Sequence, residues 1–147
     1  MRPNPKAIGE NSEAQVLAAF LQAGEVVLLP FGDNQRYDAV LDRGGNFIRV
    51  QVKTGRLRDG TVRFATASTG STTGHRTRTT YIGAIDCFAV YCPETLRVYL
   101  VPIGECAGVT MWLRLEPSAS GQNKKIRLAG DYEYPHGQVA QQVGALL

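Results

Sequence analysis

The 147 residues are 44% hydrophobic and 20% charged, with a net charge of +3, an ordinary composition for a globular domain large enough to bury one core. No apolar run reaches the length of a membrane span, and the opening stretch MRPNPKAIGENSE lacks the apolar segment of a signal peptide, so the expected location is the cytoplasm. Cys87, Cys92 and Cys106 are an odd set with no CxxC pair and no histidine at zinc spacing, which points away from a zinc site or disulfide framework and towards reduced, mostly buried thiols.

The charge is unevenly placed. Between Arg43 and Ile85 eight basic residues stand against Asp59 alone, a net +7, which leaves the rest of the chain at −4. Such a block reads either as a surface that faces a polyanion or as a solvated charged face.

In chain order, Asn11 or Ser12 is expected to cap a helix running to Leu21–Ala23, with Gly24 as its stop. Its apolar stripe would use Val16, Leu17, Phe20 and Leu21, and Glu13 would sit at the N-terminal end of that stripe. Two readings of Glu13 stay open: a group serving a site, or a first-turn carboxylate favoured by the helix dipole. Val26–Leu29 is a short apolar strand ended by Pro30, and FGDNQR is a loop. Tyr37–Asp42 and Phe47–Lys53 then form a hairpin around Gly44-Gly45, a pair suited to the two positive φ angles of a type I′ turn. That turn fixes the register, with Arg43 facing Asn46, Asp42 facing Phe47 and Asp38 facing Gln51. One face carries Tyr37, Ala39, Leu41, Ile48, Val50 and Val52, a core face; the other carries Asp38, Val40, Arg49, Gln51 and Lys53. Directly opposed Cβ atoms lie about 4.5–5.5 Å apart, so Asp38, Gln51 and Lys53 can converge on one small ligand. The alternative is a solvated hairpin face.

Further along, Thr61–Thr66 is a strand, and ASTGSTTGHRTRTTY (67–81) has no apolar period and reads as a long loop. Asp86 precedes a strand at Cys87–Cys92, which Pro93-Glu94-Thr95 turns into Arg97–Pro102. Met111–Leu115 is one more strand, Ser118–Lys125 a loop, and His136–Leu147 a short terminal helix. Arg56, Arg58, Arg76 and Arg78, with Arg49, Lys124 and Lys125, are the candidate contacts to a phosphate backbone. Asp42 reads as a turn residue, His75 and His136 as surface histidines, and Tyr81 as a DNA contact or a core tyrosine.

An acid in the first helix (Glu13), an aspartate opening a hairpin (Asp38) and Gln-Val-Lys on the returning strand (Gln51, Val52, Lys53) resemble the PD-(D/E)XK nuclease superfamily. The likeness is closest to its Gln-variant group, which includes intron-encoded homing endonucleases, and runs from about Gly9 to Pro102. It implies a restriction-endonuclease-like α/β core, with the N-terminal helix packed on a mixed β-sheet extended by hairpins, in a single nuclease domain with a C-terminal extension over 103–147. It implies a metal-dependent DNA endonuclease: Asp38, Gln51, Glu13 and the Val52 backbone carbonyl on Mg²⁺ (Mn²⁺ substituting), Lys53 as the catalytic lysine, and Asp86 as an accessory carboxylate. Double-stranded or branched DNA is the implied partner, and one site per chain implies a homodimer or homotetramer for double-strand cleavage. Tyr37 stands where the family pattern has proline, and Gln51 where it has an acid. The rival readings are a Holliday-junction resolvase, a restriction-type nuclease and a catalytically silent DNA-binding module.

Overall fold

Asn4 and Pro5 start the N-terminal helix, well before the expected cap. In the computed structural model, which describes residues 2–121 and 126–137, α1 spans Pro5–Gln22. The Asn4 side chain accepts from the Lys6 N–H at 3.0 Å, and Pro5 takes the first helical turn, where its missing N–H is no loss. Gly24 turns the chain out of the helix at φ +82°. Ser12, Val16 and Phe20 are the buried residues of α1, one per turn, whereas Leu21 is 64% exposed. The inward stripe therefore runs through i, i+4 and i+8 rather than through Leu17 and Leu21. Glu13 lies in the third turn, beyond the reach of the N-terminal dipole, so the first-turn reading falls.

The strands follow as β1 (Val26–Leu28), β2 (Ala39–Arg43), β3 (Asn46–Thr54), β4 (Arg56–Arg58), β5 (Thr61–Ala65), β6 (Ala67–Thr72) and β7 (His75–Thr80). Then come β8 (Cys87–Cys92), β9 (Arg97–Pro102), a 3-10 turn at Ile103–Glu105, β10 (Thr110–Arg114), a one-turn helix α2 (Ala129–Tyr132) and β11 (Glu133–Tyr134). The main sheet has the order β1-β2-β3-β8-β9-β11 and is mixed, because β3 and β8 run parallel while the other neighbours are antiparallel. A smaller sheet, β10-β5-β4, lies over one of its faces.

Two cores result. Val16 and Phe20 of α1 pack on Leu41, Ile48, Val50, Val52, Cys87 and Ala89. On the opposite face Phe88, Val90, Tyr99 and Val101 meet Val62 and Phe64 of β5 and Met111 and Leu113 of β10. Burial on both faces explains the unbroken apolar run Cys87–Cys92, all six residues of which are buried. Cys87 and Cys92 are buried and Cys106 is half-buried, all three as free thiols, and burial pushes the Cys87 thiol up to about 12. Tyr37, expected to share a core face with Leu41, Ile48, Val50 and Val52, instead packs against the second core. Beyond Pro102, Tyr134 joins the first core with its ring edge-on to Phe20 at 5.3 Å, and Ala129 and Tyr132 join the second.

Gly55 carries the chain from the main sheet into the smaller one. Its N–H donates to the Tyr91 carbonyl at 2.8 Å, and a Cβ there would lie 2.7 Å from Val62 Cγ1 and 2.9 Å from Val90 Cγ1. Only glycine fits so close an approach.

The segment 67–81 is not a loop. It folds into the β6–β7 hairpin around Thr73-Gly74, whose positive φ angles (49° and 80°) mark a tight turn. All six residues of β7 are exposed, so no apolar alternation marks it in the sequence. Among the described residues no helix is long and apolar enough to cross a membrane. Apart from His136 and Gly137, which follow β11 in a turn, the helix expected over 136–147 lies outside the described residues.

Candidate active site

The hairpin register is the expected one: Asp42 pairs with Phe47, Arg43 with Asn46, and Gly44 and Gly45 take φ of 66° and 92°. Asp42 serves the turn, its Oδ1 accepting from the Gly45 N–H at 2.9 Å. The last β2 residue with a partner is Ala39, opposite Val50, so β3 runs on past it with an uncovered edge. Asp38 occupies that edge. Its own N–H donates to the Val50 carbonyl at 2.8 Å, and its Oδ2 accepts from the Val52 N–H at 2.8 Å. Because a strand residue points its N–H and C=O to the same edge, the Val52 carbonyl faces the same side as the Asp38 carboxylate. Gln51 Nε2 approaches that carbonyl at 3.5 Å.

Glu13 reaches this place from the helix. Ser12, buried, shares a 2.6 Å hydroxyl hydrogen bond with Thr54 Oγ1. Since Ser12 adjoins Glu13 and Thr54 adjoins Lys53, this bond sets the third turn of α1 against the end of β3. Ser12 reads in the sequence as a cap; its real use is as this anchor. Glu13 and Asp38 share a cleft of about 270 Å³ with Leu29, Pro30, Gly32, Asp33, Gln35 and Tyr37. Asp33, a plain loop residue by sequence, puts a third acid in the cleft wall.

The electrostatics of the cleft favour a cation. Burial, the largest influence, pushes the Asp38 carboxyl above the ordinary range, and the Val52 N–H and the Lys53 ammonium draw it back only in part. Glu13 is raised as well, by burial first and then by the negative charges of Asp38 and Glu10. Carboxylates raised by burial, one of them also by its acidic neighbour, are relieved by positive charge placed beside them. Lys53 is half-buried, donates from Nζ to Tyr81 Oη at 3.1 Å, and has no carboxylate within ion-pair distance among the described residues.

The groups that could hold a cation here offer oxygens: the Asp38 and Glu13 carboxylates, the Gln51 side-chain amide and the Val52 carbonyl. No group of three His, Cys, Asp or Glu side chains gathers among the described residues. That set does not suit zinc, and it fits a hard divalent cation that keeps several waters.

A family model described as PD-(D/E)XK endonuclease matches residues 3–135. The chain belongs to the PD-(D/E)XK endonuclease family. Among solved structures its fold is similar to that of a bacterial homing endonuclease, I-Ssp6803I, at a TM-score of 0.76 and 22% identity over 97% of each chain. No curated protein matches.

In this endonuclease fold the other expected contacts separate. Arg49 is locked rather than free: its backbone N–H and Nε donate to Asp86 Oδ2 at 2.8 and 3.2 Å, its Nη2 to Oδ1 at 3.1 Å, and its Nη1 to the Gly83 carbonyl at 2.9 Å. Burial pulls the Asp86 carboxyl up, but the Arg49 hydrogen bonds outweigh it and hold the group below its ordinary range. Asp86 is thus the partner of Arg49, and sits beside β3 two residues before Gln51 in register. Arg56 is exposed and 3.7 Å from Glu94, Arg58 is exposed, and Arg76 and Arg78 stand exposed on β7. Lys124 and Lys125 lie outside the described residues. Tyr81 is buried, as a core tyrosine. Arg36, which nothing in the sequence singles out, lies with its guanidinium over the Tyr81 ring at 4.1 Å.

Proposed function

We propose that this endonuclease hydrolyses DNA phosphodiester bonds with a divalent cation, Mg²⁺ in the cell, through Asp38, Gln51, Lys53 and Glu13, in a single nuclease domain. The observation that carries the reading is the meeting of Asp38 and Glu13, from two elements, in one cleft, with burial raising both carboxyls, the Asp38 charge raising Glu13 further, and Lys53 close enough to act on Asp38. Asp38 would hold the ion, with Glu13, the Gln51 amide oxygen and the Val52 carbonyl beside it; turning the Gln51 amide presents its oxygen in place of its nitrogen. When bound, the cation polarises a phosphoryl oxygen and lowers the pKa of attacking water.

The chain's own residues do the rest. Val52 N–H fixes the Asp38 carboxylate by holding Oδ2, in a residue that lines the cleft. Lys53 carries an ammonium with no carboxylate at ion-pair distance among the described residues, so it is available to orient water and offset charge developing on the phosphoryl group. Gln51, neutral where the family pattern has an acid, leaves one negative charge fewer, so affinity for the ion depends on DNA phosphate and Glu13. Arg56, Arg58, Arg76 and Arg78 supply the basic track for the duplex.

The finer reading is homing-type cleavage of an extended site, supported by the likeness of fold and by the added β6–β7 hairpin. The test is a pool of supercoiled plasmids carrying random inserts, with and without EDTA, beside a four-way junction. Metal-dependent cutting of a subset of plasmids is expected. Cutting of the junction alone makes the chain a resolvase, and DNA binding without cutting under either condition makes it a silent module.

A further inference from the structure

We infer that Tyr81 is a positioning residue for Lys53, and that Arg36 fastens it to the root of the β6–β7 hairpin. The inference rests on the reading of Lys53 as the lysine of the chemical step. A lysine side chain has four rotatable bonds and is strongly hydrated, so one that must meet a phosphoryl group in a fixed place needs something to hold it. Tyr81 does this in two ways: its Oη accepts from Nζ at 3.1 Å, and Nζ lies 4.8 Å from its ring centroid. Unlike a carboxylate, a neutral phenol orients the ammonium without cancelling its charge.

Tyr81 is itself held rigidly. It is 5% exposed, its ring stands edge-on to Phe88 at 5.4 Å and 82°, and its carbonyl accepts from the Ala84 N–H at 2.9 Å. A buried tyrosine hydroxyl requires a hydrogen-bond partner, and the partner chosen here is the candidate catalytic lysine. Over the ring, 4.1 Å from its centroid, lies the Arg36 guanidinium. The same group donates to Ser68 Oγ of β6 at 3.2 Å and to the carbonyls of Thr80 and Thr79 of β7 at 3.0 and 3.4 Å. One arginine therefore joins both strands of the hairpin at their base to the ring that holds Lys53.

The test uses the full chain, a plasmid that the parent protein cuts, and three measurements: single-turnover rate at saturating DNA, DNA affinity and melting temperature. Tyr81→Phe keeps the ring and removes the acceptor. Its rate is expected to fall about tenfold or more, the kinetic equivalent of one hydrogen bond to a charged group, with affinity and melting temperature unchanged. A merely structural tyrosine would instead lower melting temperature and rate together. Arg36→Lys, which keeps the charge and loses the fork, is expected to slow the same step, and an unchanged rate removes Arg36 from the arrangement. Tyr81→Phe cutting at the parent rate, or losing rate only in proportion to stability or affinity, overturns the inference. Lys53→Ala is measured alongside. If it cuts normally, the reading of the site itself fails; if it is inactive while Tyr81→Phe is normal, only the role of Tyr81 fails.

Discussion

Burying the Asp38 carboxyl costs stability, and this has a measurable sign. The carboxyl is raised in the folded chain, chiefly by burial. For an acid so raised, the folded state binds the proton more tightly than the unfolded one, so the contribution to stability is full below the unfolded pKa and is lost as pH rises through the folded value. Asp38→Asn removes that charge while keeping an oxygen for the Val52 N–H. It is expected to melt higher than the parent at pH 7, with the difference shrinking towards pH 3, and to lose metal binding and cleavage together. Calorimetric titration and melting on one sample check both halves. Lys53→Ala should keep the ion and slow the chemical step by about 10²–10³-fold, the scale set by removing one charge-stabilising donor. Gln51→Glu should tighten Mg²⁺ binding. The register that sets Asp38 beside Gln51 and Lys53 was legible because a strand has a period of two and a Gly-Gly turn has one register. Tyr81 and Arg36 were not, since their contacts to Lys53, Ser68 and Thr80 span 28 to 44 positions and leave no periodic trace.

Among the elements, those with a buried face were readable and those without were not. The strands β3, β5, β8, β9 and β10 carry their core residues in sequence, whereas the β6–β7 hairpin buries almost nothing and is held by backbone hydrogen bonds and Arg36. The first two turns of α1 were hidden for the same reason, being nearly all exposed, although Asn4-Pro5 is a start signal. The hairpin sets Arg76 opposite Ser71 and Arg78 opposite Thr69, so the two side chains leave one face from Cα atoms about 7 Å apart. Replacing both with alanine is expected to flatten the log–log salt dependence of DNA affinity by about 1.8, because each phosphate contact contributes about 0.9 to the slope. A salt titration by fluorescence anisotropy reads this directly, and an unchanged slope takes the hairpin out of the interface. At the junction of the two sheets, Gly55→Ala forces a Cβ against Val62 and Val90 and should cost about 1–3 kcal/mol in a urea melt.

For the whole molecule, the proposed site occurs once among the described residues, while a DNA duplex has two antiparallel strands. Two chains related by a twofold axis put one site on each strand, so double-strand cleavage calls for a dimer or a symmetric assembly of dimers. Mixing and co-folding equal amounts of parent chain and Lys53→Ala chain makes roughly half of all randomly formed pairs hold one live and one dead site. Such pairs cut one strand only, so nicked plasmid should build up and persist, whereas the parent alone should give linear product with little nicked intermediate. A chain that acts as an independent monomer behaves differently: dead protein merely dilutes it, and the ratio of nicked to linear product is unmoved by mixing. Agarose gels of the time course, run beside sedimentation of the same samples, separate the two. A dimer or tetramer in the centrifuge together with an unmoved product ratio would mean that the assembly exists but that its two sites do not act on one duplex.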